Sequence, residues 1–270
     1  MISAVPEPVR LAALFPPTDI PAPPPEHPFS QVGRDGYTIG YLAGQAYGTA
    51  VPVALGDVDA AIADVRAVLR EQGRSHAGWL VADAAEPAGL AERLLASGMT
   101  PWEGAPFEPR EAAMALVREP EAAAGVETHP VESFEEFQAA FRVSYDAFDM
   151  PEEMRAGLEE QMRPLWEMQQ RYDDLRTFAA LVDGEVVAGA TILYGRSAAY
   201  LAGGYTRSDM RGRGVYRALV RARWDAAVAR GTPALTVTAG KMSRPILERL
   251  GFEIVGWVDA LQDDLGASPD

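Results

Sequence analysis

The stretch Gly203-Gly204-Tyr205-Thr206-Arg207-Ser208-Asp209-Met210-Arg211-Gly212-Arg213-Gly214-Val215-Tyr216 follows an apolar strand-like run and leads directly into a helix-like one. Paired glycines let a backbone approach a ligand closely. The amides of such a turn and of the first helical turn have no partner within the helix, and the helix dipole adds partial positive charge there. Strand, glycine-rich turn and helix together make an anion site. Charge points the same way. Between residues 207 and 230 there are seven arginines (207, 211, 213, 217, 221, 223 and 230) against Asp209 and Asp225, inside a chain of net charge −15. Arginine's fork of permanent donors suits phosphate oxygens. Arg221 and Arg223 read instead as the solvated face of the helix.

Competing phosphate motifs fail on particular residues. A Walker loop needs Gly-Lys-Ser/Thr, which is absent here. A dinucleotide fingerprint needs a third glycine and an acid ending the next strand, and that strand reads Ala234-Leu235-Thr236-Val237-Thr238.

Working outward, Phe134, Phe137, Phe141, Tyr145 and Phe148 recur at helical spacing. Ser133-Phe134-Glu135-Glu136 supplies a capping box for that helix. Pro151 opens a second helix running to about Gln170. Strands follow over 177–182 and 185–193, and Asp183-Gly184 between them favours a two-residue type I′ hairpin. A third strand is expected over 198–206 and a helix over 215–230. A short strand over 234–238, a helix over 243–250 closed by Gly251, and a strand over 252–261 complete the pattern. Hairpin strands first and β-α crossovers later give a mixed, mostly antiparallel sheet flanked by helices, an α/β (α+β) fold.

The first half echoes this order. It has helical patterns over 58–72 and 87–97 around a strand-like run over 78–81. Leu90-Ala91-Glu92-Arg93-Leu94-Leu95-Ala96-Ser97-Gly98-Met99 parallels Ile246-Leu247-Glu248-Arg249-Leu250-Gly251-Phe252. A degenerate internal repeat is expected. The first 28 residues carry nine prolines, which predicts an extended surface segment without helix or central strand. The segment from Arg118 to Pro130 reads as a boundary, with a domain border near residue 125.

Composition bounds the function. The absence of cysteine removes disulfides, thiolate metal sites and a cysteine nucleophile. Net acidity argues against nucleic-acid binding. No apolar run approaches the ~20 residues of a membrane span, and a cytoplasmic location is expected. His27, His76 and His129 lie outside the strand–loop–helix core, so neither a Ser-His-Asp triad nor a histidine metal site is supported, and no metal is expected.

These residues resemble the GCN5-related N-acetyltransferase (GNAT) family. Its Gln/Arg-x-x-Gly-x-Gly/Ala signature after the fourth strand is matched at Arg211 and Gly214, with Tyr216 in place of a small residue at the last position. The resemblance covers about residues 126–262 well and 40–118 weakly. It implies a Pro-rich extension (1–30), a degenerate GNAT-like copy (31–125) and an acyl-CoA-binding copy (126–270). No Arg-x-x-Gly appears around 45–57, so the first copy is assigned a structural or dimerising role, with a homodimer left open. The resemblance further implies acetyl-CoA as acyl donor, its pantetheine paired with Gly204, Tyr205 and Thr206. Its diphosphate falls on the loop and first helical turn at Arg211, Gly212, Arg213, Gly214, Val215, Tyr216 and Arg217. The acceptor would be a small-molecule amine or a peptide, walled by helices over 133–170 with Tyr145, Asp146, Phe148 and Trp166 nearby. Two family roles are vacated. The proton-donor tyrosine position is Leu247, with Gly240 seven residues ahead. The position of a glutamate base seen in some members is Tyr200, a poor base near neutrality and the one catalytic candidate. Asp146, Asp149 and Glu185 stay open as water-relayed acids. The alternative function is a catalytically inactive acyl-CoA-binding or regulatory module.

Overall fold

The computed structural model describes residues 5–43, 45–104, 106–123, 125–150 and 152–266, without the side chains of residues 153 and 154. In chain order the elements are α1 (Glu7–Leu14), α2 (Pro16–Asp19), β1 (Phe29–Arg34), β2 (Tyr37–Leu42), β3 (Tyr47–Pro52), α3 (Val58–Glu71), β4 (His76–Ala82), α4 (Leu90–Ala96), β5 (Thr100–Pro101) and β6 (Arg110–Leu116). Then come β7 (Glu127–Pro130), α5 (Phe134–Ala147), α6 (Glu152–Arg171), β8 (Leu175–Val182), β9 (Glu185–Tyr194), β10 (Ala199–Thr206), α7 (Val215–Ala229), β11 (Leu235–Ala239), α8 (Arg244–Arg249) and β12 (Glu253–Asp264).

The chain forms two compact units, and the partition does not follow the chain. The first comprises Met1–Ala115, Thr238–Glu248 and Glu253–Asp270; the second comprises Leu116–Val237 and Arg249–Phe252. In the first unit the strand order is β1-β2-β3-β4-β12-β6, with β5 also on β12. All of these pairings are antiparallel except β3–β4. In the second the order is β11-β10-β9-β8-β7, and only β10–β11 is parallel. The order β1-β2-β3-α3-β4-α4 thus repeats as β8-β9-β10-α7-β11-α8. The paired helix endings recur with it, since Gly98 and Gly251 both adopt left-handed φ, +96° and +92°.

The N-terminal segment departs from its sequence expectation. α1 is a helix, and Val9, Ala12, Ala13, Leu14 and the following Phe15 are buried. Proline blocks a helix interior but costs little in the first turn, where its missing N–H would be unpaired anyway. Pro6 is the N-cap and Pro8 falls within that first turn. Leu14 and Phe15 join a core that includes Ile39, Leu69, Trp79 and Val258. Part of the expected boundary at 118–130 also folds as β7, an edge strand ending at Pro130, where a missing donor is tolerated.

In the second unit Asp183 and Gly184 have φ of +52° and +79° between paired Val182 and Glu185, as a type I′ turn requires. Ser133 Oγ accepts from the Glu136 N–H at 3.1 Å. The Glu136 carboxylate turns to His129 Nε2 at 2.5 Å and to the Glu132 N–H rather than closing a reciprocal box. The phenylalanine stripe packs Phe137 and Tyr145 with Met162, Trp166 and Ala179. The expectation that Pro151 opens the second helix lies outside the described residues; α6 is seen from Glu152.

Candidate functional site

Two features of β10 open the sheet of the second unit. Gly203 is skipped in the β9 register, which shifts between Ala202 and Gly204, and has φ +58°. It is a bulge that bends the strand. On the other edge, parallel pairing with β11 consists of Ala199↔Leu235 and Tyr200↔Thr236. Past Tyr200 the ladder stops and the strands part. Gly204, Tyr205 and Thr206 lie beyond that point, with side chains on alternating faces. The Tyr205 ring covers Gly189, where a Cβ would stand 2.8 Å from its hydroxyl. Burial, and then the nearby Tyr145, push the Tyr205 phenol upward from its ordinary value. Gly204 takes the Tyr216 ring, 3.0 Å from where its own Cβ would be. Tyr216, the departure from the family's small residue, therefore fills the step between α7 and β10.

The loop turns through a short 3-10 segment at Ser208–Met210. Gly212 and Gly214 then take φ of +73° and +83°, the left-handed region where glycine is at no steric disadvantage. Gly214 is the N-cap of α7 and no side chain caps the helix. The first-turn amides of Val215, Tyr216 and Arg217 are thus left for an external acceptor. Val215 is buried and anchors the turn.

The arginines divide sharply. Arg207 is held by Glu185 and Asp209, whose bonds raise the guanidinium and lower Asp209. Arg211 donates Nη2 to the Ala147 carbonyl at 2.8 Å and Nε to the Thr206 carbonyl at 3.4 Å. Arg213 is exposed, with Nη1 3.0 Å from Met210 Sδ. Arg217 folds back so that Nη2 lies 3.5 Å from where a Gly214 Cβ would be. Its Nε is buried without a hydrogen-bond partner, and its ion pair to the exposed Glu121 is long, 3.8 Å. A cation that is not fully paired beside uncapped helix amides fits an anionic group.

Of the two arginines expected on a solvated face, Arg221 lies there in surface ion pairs, while Arg223 does not. Arg221 ties Asp225, Glu119 and the Pro120 carbonyl together. Arg223 is 0% exposed, donating to the Leu219 and Thr191 carbonyls at 3.1 Å each. Its Nη2 is buried without a hydrogen-bond partner, and burial lowers the guanidinium. The helix faces the sheet at this position, so the long side chain satisfies one carbonyl of its own helix, Leu219, and one of strand β9, Thr191.

Tyr200 is half-buried in the last register pair before the strands part. Leu247 is fully buried and carries no ionisable group. Gly240 is crowded by the Glu108 carboxylate, which accepts the Lys241 N–H through both oxygens at 3.0 Å. Of the three acids left open, Glu185 is spent on Arg207, while Asp146 and Asp149 are exposed. Tyr145 is buried and donates to Glu159 at 3.2 Å; Phe148 is 58% exposed. Among the described residues no three histidine, cysteine, aspartate or glutamate side chains converge as metal ligands, and no helix is long and apolar enough to cross a membrane.

Residues 134–252 match the Acetyltransferase (GNAT) family. The match takes in α5 to α8. Solved structures of similar fold extend the likeness to the whole chain. A GCN5-related N-acetyltransferase from Kribbella flavida is 21% identical, with 95% of this chain and 93% of that one covered at a TM-score of 0.62. A tandem GNAT protein from the clavulanic acid biosynthesis pathway is 15% identical, with 99% and 90% covered at 0.59. A GCN5-related N-acetyltransferase from Sphaerobacter thermophilus is 12% identical, with 87% and 78% covered at 0.57. No curated protein matches the chain in sequence.

Proposed function

We propose that the chain transfers an acetyl group from acetyl-CoA to an amine, with the donor on the second unit. The observation that carries this reading is the glycine-capped start of α7 beside Arg217, at the mouth of the parting β10 and β11. The diphosphate accepts from the first-turn amides of α7 and from Arg217. The pantetheine arm continues the interrupted ladder along Gly204 to Thr206. The amine nitrogen attacks the thioester carbonyl, the C–N bond forms, the C–S bond breaks, and the proton given up by the amine ends on the departing sulfur, which leaves as the thiol of CoA. A thioester is already activated, so positioning and a strand N–H that polarises the carbonyl suffice without a strong base.

Buried Leu247 favours a second reading, a module that binds acyl-CoA without turnover. Thiol release from acetyl-CoA across a panel of amines, alongside a thermal melt, separates the two. Transfer predicts a raised melting temperature and thiol release with at least one amine. A raised melting temperature with no release on any amine leaves the module. No shift with any acyl-CoA overturns both.

A further inference from the structure

We propose that Arg211 is a positioning residue that pins the turn after α5 to the anion loop, rather than a ligand of the diphosphate. This rests on the donor reading above. Ala147 is the last residue of α5, and its carbonyl lies at the negative end of that helix, where cations are favoured. No basic residue stands in the last turn of α5 itself. Arg211 supplies the missing cation from 64 residues away, at 2.8 Å. Its Nε reaches back to the Thr206 carbonyl, the end of β10. The guanidinium therefore joins the last strand residue before the loop to the helix end on the opposite side of it.

What it holds is the start of a turn whose far end has its own clamp, Arg155 Nε donating to the Met150 carbonyl at 2.7 Å. Phe148 N–H bonds the Ser144 carbonyl at 3.0 Å, and Met150 N–H bonds the Tyr145 carbonyl at 2.9 Å. Between them Asp149 is forced to φ +47°, a conformation costly for a residue with a Cβ. Phe148 projects into solvent from the same turn. Loss of the Ala147 clamp frees this turn, while the donor keeps Arg217 and the α7 amides. Arg211 thus governs the α5–α6 wall, and Arg217 the donor.

Hydrogen exchange and acetyl-CoA titration of the full chain test this together, on the wild type and on Arg211→Ala, Arg211→Lys and Arg217→Ala. In Arg211→Ala the amides of Phe148 and Met150 exchange about tenfold faster, while the acetyl-CoA dissociation constant moves less than about threefold. Arg211→Lys, which keeps the charge but not the fork, falls between and guards against a folding defect. Arg217→Ala weakens acetyl-CoA at least about tenfold, as loss of a charge-assisted contact does, without changing exchange at the turn. A tenfold or greater loss of acetyl-CoA affinity in Arg211→Ala overturns the assignment, as does unchanged exchange at Phe148 and Met150. If the wild type itself does not bind acetyl-CoA, the donor reading fails, and the exchange measurement alone decides the clamp.

Discussion

In the first unit α3 begins Asp57-Val58-Asp59-Ala60-Ala61-Ile62; in the second α7 begins Gly214-Val215-Tyr216-Arg217-Ala218-Leu219. The inward positions agree: Val58 and Val215, Ala61 and Ala218, Ile62 and Leu219 are all buried. Nine residues in, Arg66 and Arg223 coincide as well. Arg66 has a carboxylate, bonded through Nε and Nη2 to the buried Asp263 at 2.7 and 2.8 Å; Arg223 has only carbonyls. The outward positions of the first turn are opposite in charge. Asp57 accepts the Asp59 and Ala60 N–H groups at 3.0 Å each, so the anion on this helix is the protein's own side chain. Where α7 offers amides and an arginine, α3 offers a filled cap and a second acid.

The strands tell the same story. The Val53 and Ala54 N–H groups bond the Gly36 carbonyl, while the Leu55 N–H bonds the Glu86 carbonyl at 2.8 Å and the Glu86 N–H bonds the Val53 carbonyl at 2.9 Å, around the Ala54–Glu86 bridge. The parting that leaves β10 free past Tyr200 is closed in the first unit. Five residues join β3 to α3, against eight from β10 to α7. One architecture is kept by burying the same helix face, while the two copies differ in a few residues at one helix end that the core does not constrain.

Gly214→Glu makes the largest break in this contrast. It forces a Cβ into φ +83° and sets a carboxylate among the amides proposed to hold the diphosphate. Two like charges about 4 Å apart near a surface cost about 4 kcal/mol, so acetyl-CoA affinity falls by roughly three orders of magnitude. Calorimetric titration reads this directly, and a loss smaller than tenfold places the diphosphate elsewhere.

Asp57→Ala probes the other side. Loss of an aspartate N-cap costs about 1 kcal/mol, visible as a lower urea midpoint with unchanged slope. Acetyl-CoA stoichiometry stays at one per chain, because the stitched strands still close the first unit. A second binding event in this variant means that the cap alone separates the two copies.

These contrasts mark what the sequence makes legible. The hairpin at Asp183-Gly184, the aromatic stripe of α5 and the glycine–arginine loop before α7 are local signals, and the structure has each of them. Three features needed information that is not local. α1 was obscured because proline counts hide position, and only the first-turn placement of Pro6 and Pro8 permits a helix. The direction of Arg223 followed from helix phase against the sheet, which an arginine-rich pattern disguises as a solvated face. Membership of β12 in the first unit is set by pairing with β4 and β6, far away in the chain. The site was legible in its backbone, since glycines mark it, but less so in its cations. Whether an arginine serves a ligand or a carbonyl depends on what lies within reach, here Ala147 at a distance of 64 residues.

The smallest effect compares two arginine–carboxylate–tyrosine groups, one per unit. In the first, Asp64 accepts from Arg34 at 2.9 Å and Tyr37 at 2.7 Å; in the second, Glu159 accepts from Arg142 at 2.8 Å through each oxygen and from Tyr145 at 3.2 Å. Burial and the adjacent carboxylate push both phenols up to about 12. The bond from Arg142 holds Glu159 below its ordinary 4.5; burial raises Asp64, but the bonds from Arg34 and Tyr37 outweigh it and leave it below 3.8. Depressed carboxylates contribute stability above their unfolded values and lose it as pH falls through the folded ones. Glu159→Gln and Asp64→Asn therefore each cost about 0.5 kcal/mol near pH 7, the scale of half-exposed ion pairs. The gap from wild type closes below about pH 4.5 for Glu159→Gln, and only below about pH 3.8 for Asp64→Asn. Urea titrations across pH 3 to 7 read both. A gap that persists undiminished at pH 3 means that packing, not charge, links Glu159 to α5, and that the two groups are alike in composition only.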